Sequence, residues 1–118
     1  EESFLATGFF AEDEDQLREQ LPIFEKLVRK SRAIRRAGAA AYDLALVARG
    51  TFDAFWERGL KPWDTAAGAL LVEEAGGLVQ TYRGKSFDPK FNSIVAGSPD
   101  LVREIQANIS DSIRETTD

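Results

Sequence analysis

Apolar and polar positions alternate between two rhythms along this chain. Ser3 to Thr7 has the short apolar pattern of a strand, ended by Gly8. The acidic stretch Glu12 to Asp15 then opens a helix, in which Leu17, Leu21, Phe24, Leu27 and Val28 recur at helical spacing and predict one buried face. Pro22 falls inside that pattern, so a kink or a late helix start is expected. Ala33 to Arg36 reads as a short strand. A second helix runs from Gly38 to about Arg49, stopped by Gly50, with Leu44, Val47 and Ala48 as core contacts. Its many small residues permit close packing against a sheet or a ligand.

Phe52 to Glu57 reads as a strand of aromatic β-formers, and Gly59 to Pro62 as a turn. Asp64 stands where an N-cap would stand, ahead of a helix over Ala66 to Ala75 that Gly76-Gly77 terminates. Leu78 to Tyr82 and Ile94 to Ala96 read as strands, with a turn at Arg83-Gly84-Lys85. Ser98 or Asp100 caps a last helix whose core side is Leu101, Val102, Ile105 and Ile109, and the tail after Ser110 is polar. Strands and helices alternate throughout, which predicts one α/β domain over residues 1–118, a sheet flanked by helices.

Composition narrows the chemistry. The 118 residues suffice for one core. Neither cysteine nor histidine occurs, which excludes disulfides, thiolate nucleophiles, Cys/His zinc sites and a Ser-His-Asp triad within the chain. A metal held here has to be a hard, oxygen-liking ion. The net charge of −5 argues against general nucleic-acid binding. No apolar run is long enough to span a membrane and no signal peptide is visible, so a cytoplasmic protein is expected. The missing initiator methionine suggests a start inside a longer chain. Lys26, Arg29, Lys30, Arg32, Arg35 and Arg36 form a local basic cluster. It reads as a solvated helix end, with a subunit contact or an anion site as alternatives.

The segment Trp56-Glu57-Arg58-Gly59-Leu60-Lys61-Pro62-Trp63-Asp64 carries the candidate chemistry. A strand delivers Glu57, a Gly/Pro turn reverses the chain, and Asp64 lands at a helix N-terminus beside Trp63, taken as buried. Two carboxylates so placed could bind a divalent cation or sugar hydroxyls. Equally, Asp64 could be a plain cap and Glu57 a surface residue. Asp43 reads as a structural hydrogen-bonding group near a helix start, Glu73 and Glu74 as a solvated helix face, and Phe87-Asp88-Pro89-Lys90 as a turn.

Trp63-Asp64-Thr65-Ala66-Ala67-Gly68-Ala69-Leu70-Leu71-Val72-Glu73-Glu74-Ala75-Gly76-Gly77 resembles the second signature of the inositol monophosphatase family, W-D-x-A-A-G-x-x-L-V-x-E-A-G-G. Leu5-Ala6-Thr7-Gly8-Phe9, Arg35-Arg36-Ala37-Gly38-Ala39-Ala40-Ala41-Tyr42-Asp43-Leu44 and Asn92-Ser93-Ile94-Val95-Ala96-Gly97-Ser98-Pro99 resemble further family segments, so the likeness covers nearly the whole chain. It implies the carboxy-terminal domain of that layered fold, a mixed sheet flanked by helices. It implies that Asp64 ligates Mg²⁺, which polarises a phosphate ester and stabilises the leaving oxygen. It further implies that Glu57 accepts hydrogen bonds from substrate hydroxyls, and that Gly38, Ala39 and Ala40 line the sugar pocket. Ala39 departs from the usual Ser or Thr, and one hydroxyl contact goes with it.

The family's D-P-x-D-G-T signature and an upstream Glu, which supply most of the metal ligands and the activated water, are absent from these residues. The expected function is therefore part of a Mg²⁺-dependent phosphatase acting on inositol monophosphate or a related sugar phosphate, inactive alone, completed by an amino-terminal half and homodimeric at full length. Gly59-Leu60-Lys61-Pro62 looks most like the bacterial members; fructose bisphosphate, nucleotide bisphosphate and histidinol phosphate are alternative substrates. A stand-alone half that binds a partner or a sugar phosphate without turnover is the alternative role.

Overall fold

The computed structural model describes residues 3–8, 14–35, 40–50, 52–59, 61–88, 90–91 and 93–110, and within its helices and strands all side chains but those of Gln16, Arg35, Ala40, Ala41 and Tyr42. The strands are β1 (Phe4–Gly8), β2 (Ala33–Arg35), β3 (Ala54–Arg58), β4 (Leu78–Gln80) and β5 (Ser93–Gly97). The helices are α1 (Glu14–Lys30), α2 (Ala40–Arg49), α3 (Pro62–Glu74) and α4 (Pro99–Ile109). The five strands form one mixed sheet in the order β2-β1-β3-β5-β4, and helices flank it as the alternation of elements predicts. β1 lies parallel to both β2 and β3, while β5 is antiparallel to β3 and β4.

The order dictates the layering. From β1 the chain steps sideways to β2, then back across β1 to β3. Two right-handed crossovers in opposite directions place their helices on opposite faces of a sheet. α1 accordingly shares one face with α4, where Leu5, Ile23, Leu27, Trp56, Tyr82, Val102, Ile105 and Ile109 pack together. α2 shares the other with α3, where Ala6, Leu44, Phe55, Ala69, Val72, Val79 and Ile94 meet. Successive residues of β3 serve the two cores in turn, Phe55 facing α2 and α3, Trp56 facing α1 and α4.

Several expectations change in detail. α1 is continuous through Pro22, which simply leaves the carbonyl one turn earlier without an amide partner. Its buried side is Gln20, Ile23 and Leu27, whereas Leu21 is 50% exposed and Val28 43% exposed. Of the predicted face Leu27 is buried and Leu17 and Phe24 are half-buried, so the stripe the chain buries lies a fraction of a turn away from the centre of the predicted one. α3 begins at Pro62, with Lys61 as its N-cap, so Asp64 occupies the third helical position rather than the cap. Proline is favoured at a first helical position because its missing N–H would be unsatisfied there anyway. Trp63, expected to be buried, is 77% exposed. α4 is capped from Ser98, again with proline first, and without a side-chain cap bond. Asp88 Oδ1 accepts from Lys90 N–H at 3.0 Å, as a turn requires.

Candidate active-site edge

The three parallel strands β1, β2 and β3 end on one edge of the sheet, and α2 and α3 begin near it. In open α/β sheets such an edge, where successive crossovers part to opposite faces, is where ligands bind. Glu57 and Asp64 flank it from one β–turn–α unit. Gly59 starts the turn with φ +93, a backbone region glycine enters without steric cost.

Glu57 is not a surface residue; it is 6% exposed. It follows Phe55 by two positions on β3, so it points to the α2–α3 face. Its β1 partner across the ladder is Gly8. A Cβ at Gly8 would stand 2.7 Å from Glu57 Cδ and 2.8 Å from Oε2, so the carboxylate lies directly on the glycine backbone. Thr7 Oγ1 donates to Trp56 C=O at 2.7 Å and ties the two strands one position earlier. Gly8 was read from sequence only as a strand terminator. A glycine next to a strand end can also mark a place where another group approaches closely, and here that group is the candidate hydroxyl acceptor.

Asp64 is partly buried. Its Oδ2 accepts from Lys61 N–H at 3.0 Å, and its own N–H donates to Lys61 C=O at 2.9 Å. The side chain thus fills half of a capping box, satisfying one amide at the helix start. Its Oδ1 has no bond to a described residue. Among the described residues no three His, Cys, Asp or Glu side chains cluster as a metal site. The donor chemistry fits a hard cation, since carboxylate oxygens are what this edge offers. The described ligand set does not surround one.

Gly38 and Ala39 lie outside the described residues. Ala40 begins α2, at the same edge, and its side chain is outside the described ones. One turn further along α2, Asp43 is 1% exposed, and its Oδ1 is buried without a hydrogen-bond partner. Burial pushes the Asp43 carboxyl up to about 6. Glu73 and Glu74 are exposed, as expected. A cavity of about 300 Å³ lies at the other end of the α2–α3 layer, lined by Gly50, Phe52, Asp53, Gly76, Gly97 and Ser98, away from both carboxylates.

Behind the edge, on the α1 face, Arg58 Nε donates to Glu19 Oε1 at 2.7 Å and its guanidinium stacks 4.8 Å from the Tyr82 ring centre. Gln20 Nε2 donates to the Tyr82 hydroxyl at 3.1 Å. Burial raises the Tyr82 phenol well above its ordinary range. These bonds join the end of β3 to α1.

The model of the inositol monophosphatase family matches residues 1–117. A protein named Nus factor SuhB from Pseudomonas aeruginosa is 47% identical over 97% of this chain, which covers 44% of that protein. The Nus factor SuhB of Escherichia coli K12 is 42% identical over 96% of this chain and 42% of its own length. Among solved structures, the inositol monophosphatase of Anabaena superposes with a TM-score of 0.86 at 33% identity, over 98% of this chain and 46% of that one. The native extragenic suppressor protein suhB of Bartonella henselae superposes with a TM-score of 0.86 at 36% identity, over 96% and 43%. The chain thus spans less than half the length of these relatives.

Proposed function

Because the chain belongs to the inositol monophosphatase family, we propose that it forms the carboxy-terminal half of a Mg²⁺-dependent phosphatase acting on inositol monophosphate or a related sugar phosphate. The observation that carries this reading is the pairing of a buried Glu57, seated on Gly8, with Asp64 at the start of the next helix. One is fixed as a hydrogen-bond acceptor facing the edge of the sheet. The other has an oxygen without a bond to a described residue.

Each residue then has a defined task. Glu57, held by the β1–β3 ladder, accepts hydrogen bonds from sugar hydroxyls and orients the ring. Gly38, Ala39 and Ala40 line the pocket with small side chains. Asp64 serves as one ligand of Mg²⁺, whose chemistry when bound is to offset phosphate and leaving-oxygen charge. The remaining ligands and the water-activating group belong to an amino-terminal half. Alone, the 118-residue chain is expected to be inactive. The alternative substrates remain fructose bisphosphate, nucleotide bisphosphate and histidinol phosphate.

The partner surface is α3. One side of this helix buries Thr65, Gly68, Ala69 and Val72, while Trp63, Leu70 and Leu71 are exposed. A helix apolar on both sides belongs between two layers, which supports an amino-terminal half docking on its outer face. The test joins that half to this one. Mg²⁺-dependent phosphate release from inositol monophosphate is expected in the joined protein, with a loss of orders of magnitude in Asp64→Asn. Robust turnover by the pure 118-residue chain overturns the reading.

A second reading comes from the relatives' names. Those proteins are called Nus factors, so the parent of this chain could carry a binding role that needs no turnover. With a net charge of −5, a protein partner suits it better than a nucleic acid. Replacing a bacterial relative in the cell with the Asp64→Asn parent separates the two: full function without catalysis favours the binding role.

A further inference from the structure

Glu57 and Arg58 close β3 side by side, and alternation sends them to opposite faces of the sheet. Glu57 faces α2 and α3, and Arg58 faces α1 and α4. The ladder alone holds this end of β3 loosely. Gly8, the partner of Glu57, is the last residue of β1, and Ser93, the partner of Arg58, is the first of β5. Gly59 follows with φ +93 and offers no side chain as an anchor. Strand ends of this kind fray unless something outside the ladder fixes them.

Four side chains behind the strand do so. Arg58 Nε donates to Glu19 Oε1 at 2.7 Å. Gln20 Nε2 donates to the same Glu19 oxygen at 3.1 Å and to the Tyr82 hydroxyl at 3.1 Å. The Tyr82 ring then lies against the Arg58 guanidinium, 4.8 Å from it, and closes the circuit. Tyr82 N–H donates to Ser93 Oγ at 2.9 Å, and Ser93 is the residue paired with Arg58 across the ladder. The circuit is thus fastened to α1 on one side and to the sheet on the other. Gln20, Arg58, Tyr82 and Ser93 are all buried. Filling space does not explain it, since a buried ion pair often contributes no more stability than well-packed apolar side chains of similar volume. What a connected set of hydrogen bonds adds is a single, rigid arrangement.

We propose that Glu19, Gln20, Arg58 and Tyr82 are positioning residues. Through the backbone of β3 they hold the Glu57 carboxylate where it selects phosphate esters that carry ring hydroxyls. The inference rests on the role proposed above for Glu57. Arg58 lies on the far face of the sheet from that carboxylate, so it acts only through where Glu57 sits. Misplacing Glu57 weakens its hydrogen bonds to hydroxyls and leaves an ester without them unaffected.

The test replaces the ion pair by apolar side chains, Glu19→Leu with Arg58→Met, so that packing is kept and fixed position is lost. Circular dichroism verifies that the variant is folded. In the 118-residue chain, amide hydrogen exchange at Glu57 and Arg58 is expected to quicken about tenfold or more, with Phe55 in mid-strand unchanged. In the joined protein, the KM for inositol monophosphate is expected to rise about tenfold. The kcat/KM for phenyl phosphate, which has no ring hydroxyls, is expected to stay the same. Glu19→Gln, whose amide oxygen can still accept from Arg58, is expected to keep a KM near that of the unaltered protein. In a Glu57→Ala background the double replacement is expected to change neither substrate further. Parallel losses on both esters, a loss that adds to that of Glu57→Ala, an unchanged KM, or unchanged exchange at the end of β3 each overturn the proposal. A Glu57→Ala protein that does not discriminate between the two esters overturns the role of Glu57 itself, and this inference with it.

Discussion

Arg58 and Glu19 form an ion pair of 2.7 Å with side chains only 8% and 12% exposed, joining the residue after Glu57 to the middle of α1. Removing one partner of so shielded a pair leaves the other charge desolvated. Glu19→Leu is expected to cost about 3 kcal/mol or more. Glu19→Leu with Arg58→Met is expected to cost less than the single change, because no charge then stays behind. Urea unfolding of the three proteins measures this, and additive losses would rule the coupling out.

Asp43 gives the fold a pH dependence of defined sign. Its folded value of about 6 lies above the ordinary 3.8, so between them the folded state holds a proton that the unfolded chain has released. The stability this confers is fully present below the unfolded value and disappears as the pH rises through the folded one. Asp43 alone is then expected to make the domain less stable at pH 7 than at pH 3, by on the order of 1–3 kcal/mol. Asp43→Asn is expected to flatten that window and to raise stability at neutral pH. Denaturation midpoints across the acid range decide it.

Gly68 sits where α3 crosses α2, and a Cβ there would stand 2.6 Å from Leu44 Cβ. Alanine gains about 1 kcal/mol of helix propensity over glycine. Against that, the backbone-near atom of Leu44 cannot swing aside, and overpacking costs about 1–3 kcal/mol. Gly68→Ala is therefore expected to lower the melting temperature, although alanine is the better helix former. A higher melting temperature would mean that α2 and α3 can move apart.

Gly8 and Asp64 separate the two proposed roles of the site in the joined protein. Gly8→Ala is expected to push the Glu57 carboxylate off its seat, raising KM with the Mg²⁺ requirement unchanged. Asp64→Asn is expected to lower kcat and shift the Mg²⁺ requirement upward, with stability changed by less than about 1 kcal/mol, because asparagine can still accept from Lys61 N–H. Steady-state kinetics over a range of Mg²⁺ tells them apart.

Much of the fold is legible in the sequence because period-two and period-3.6 runs alternate so clearly. The buried side of α1 is not. Both stripes obey helical spacing, and the one that Gln20 interrupts is the one the fold buries; hydropathy ranks the other higher. Only the crossover geometry chooses between them. Trp63 was misplaced for a related reason: a large aromatic suggests an interior, and the outer face of α3 resembles one. The offset of Asp64 was readable, since Pro62 is a first-position residue and fixes the cap at Lys61. The seating of Glu57 on Gly8 was not, because it depends on pairing residues 49 positions apart.

That separation matters while the chain is being made. β1 is the central parallel strand, flanked by β2 and β3. At about 5–20 residues per second, translation needs several seconds to deliver β3 after β1 has left the ribosome. During that interval one of its edges waits with unpaired amides and carbonyls. The order of synthesis therefore makes the nascent domain most prone to misassociation before β3 is complete, and a chaperone that recognises extended apolar segments has its opportunity there.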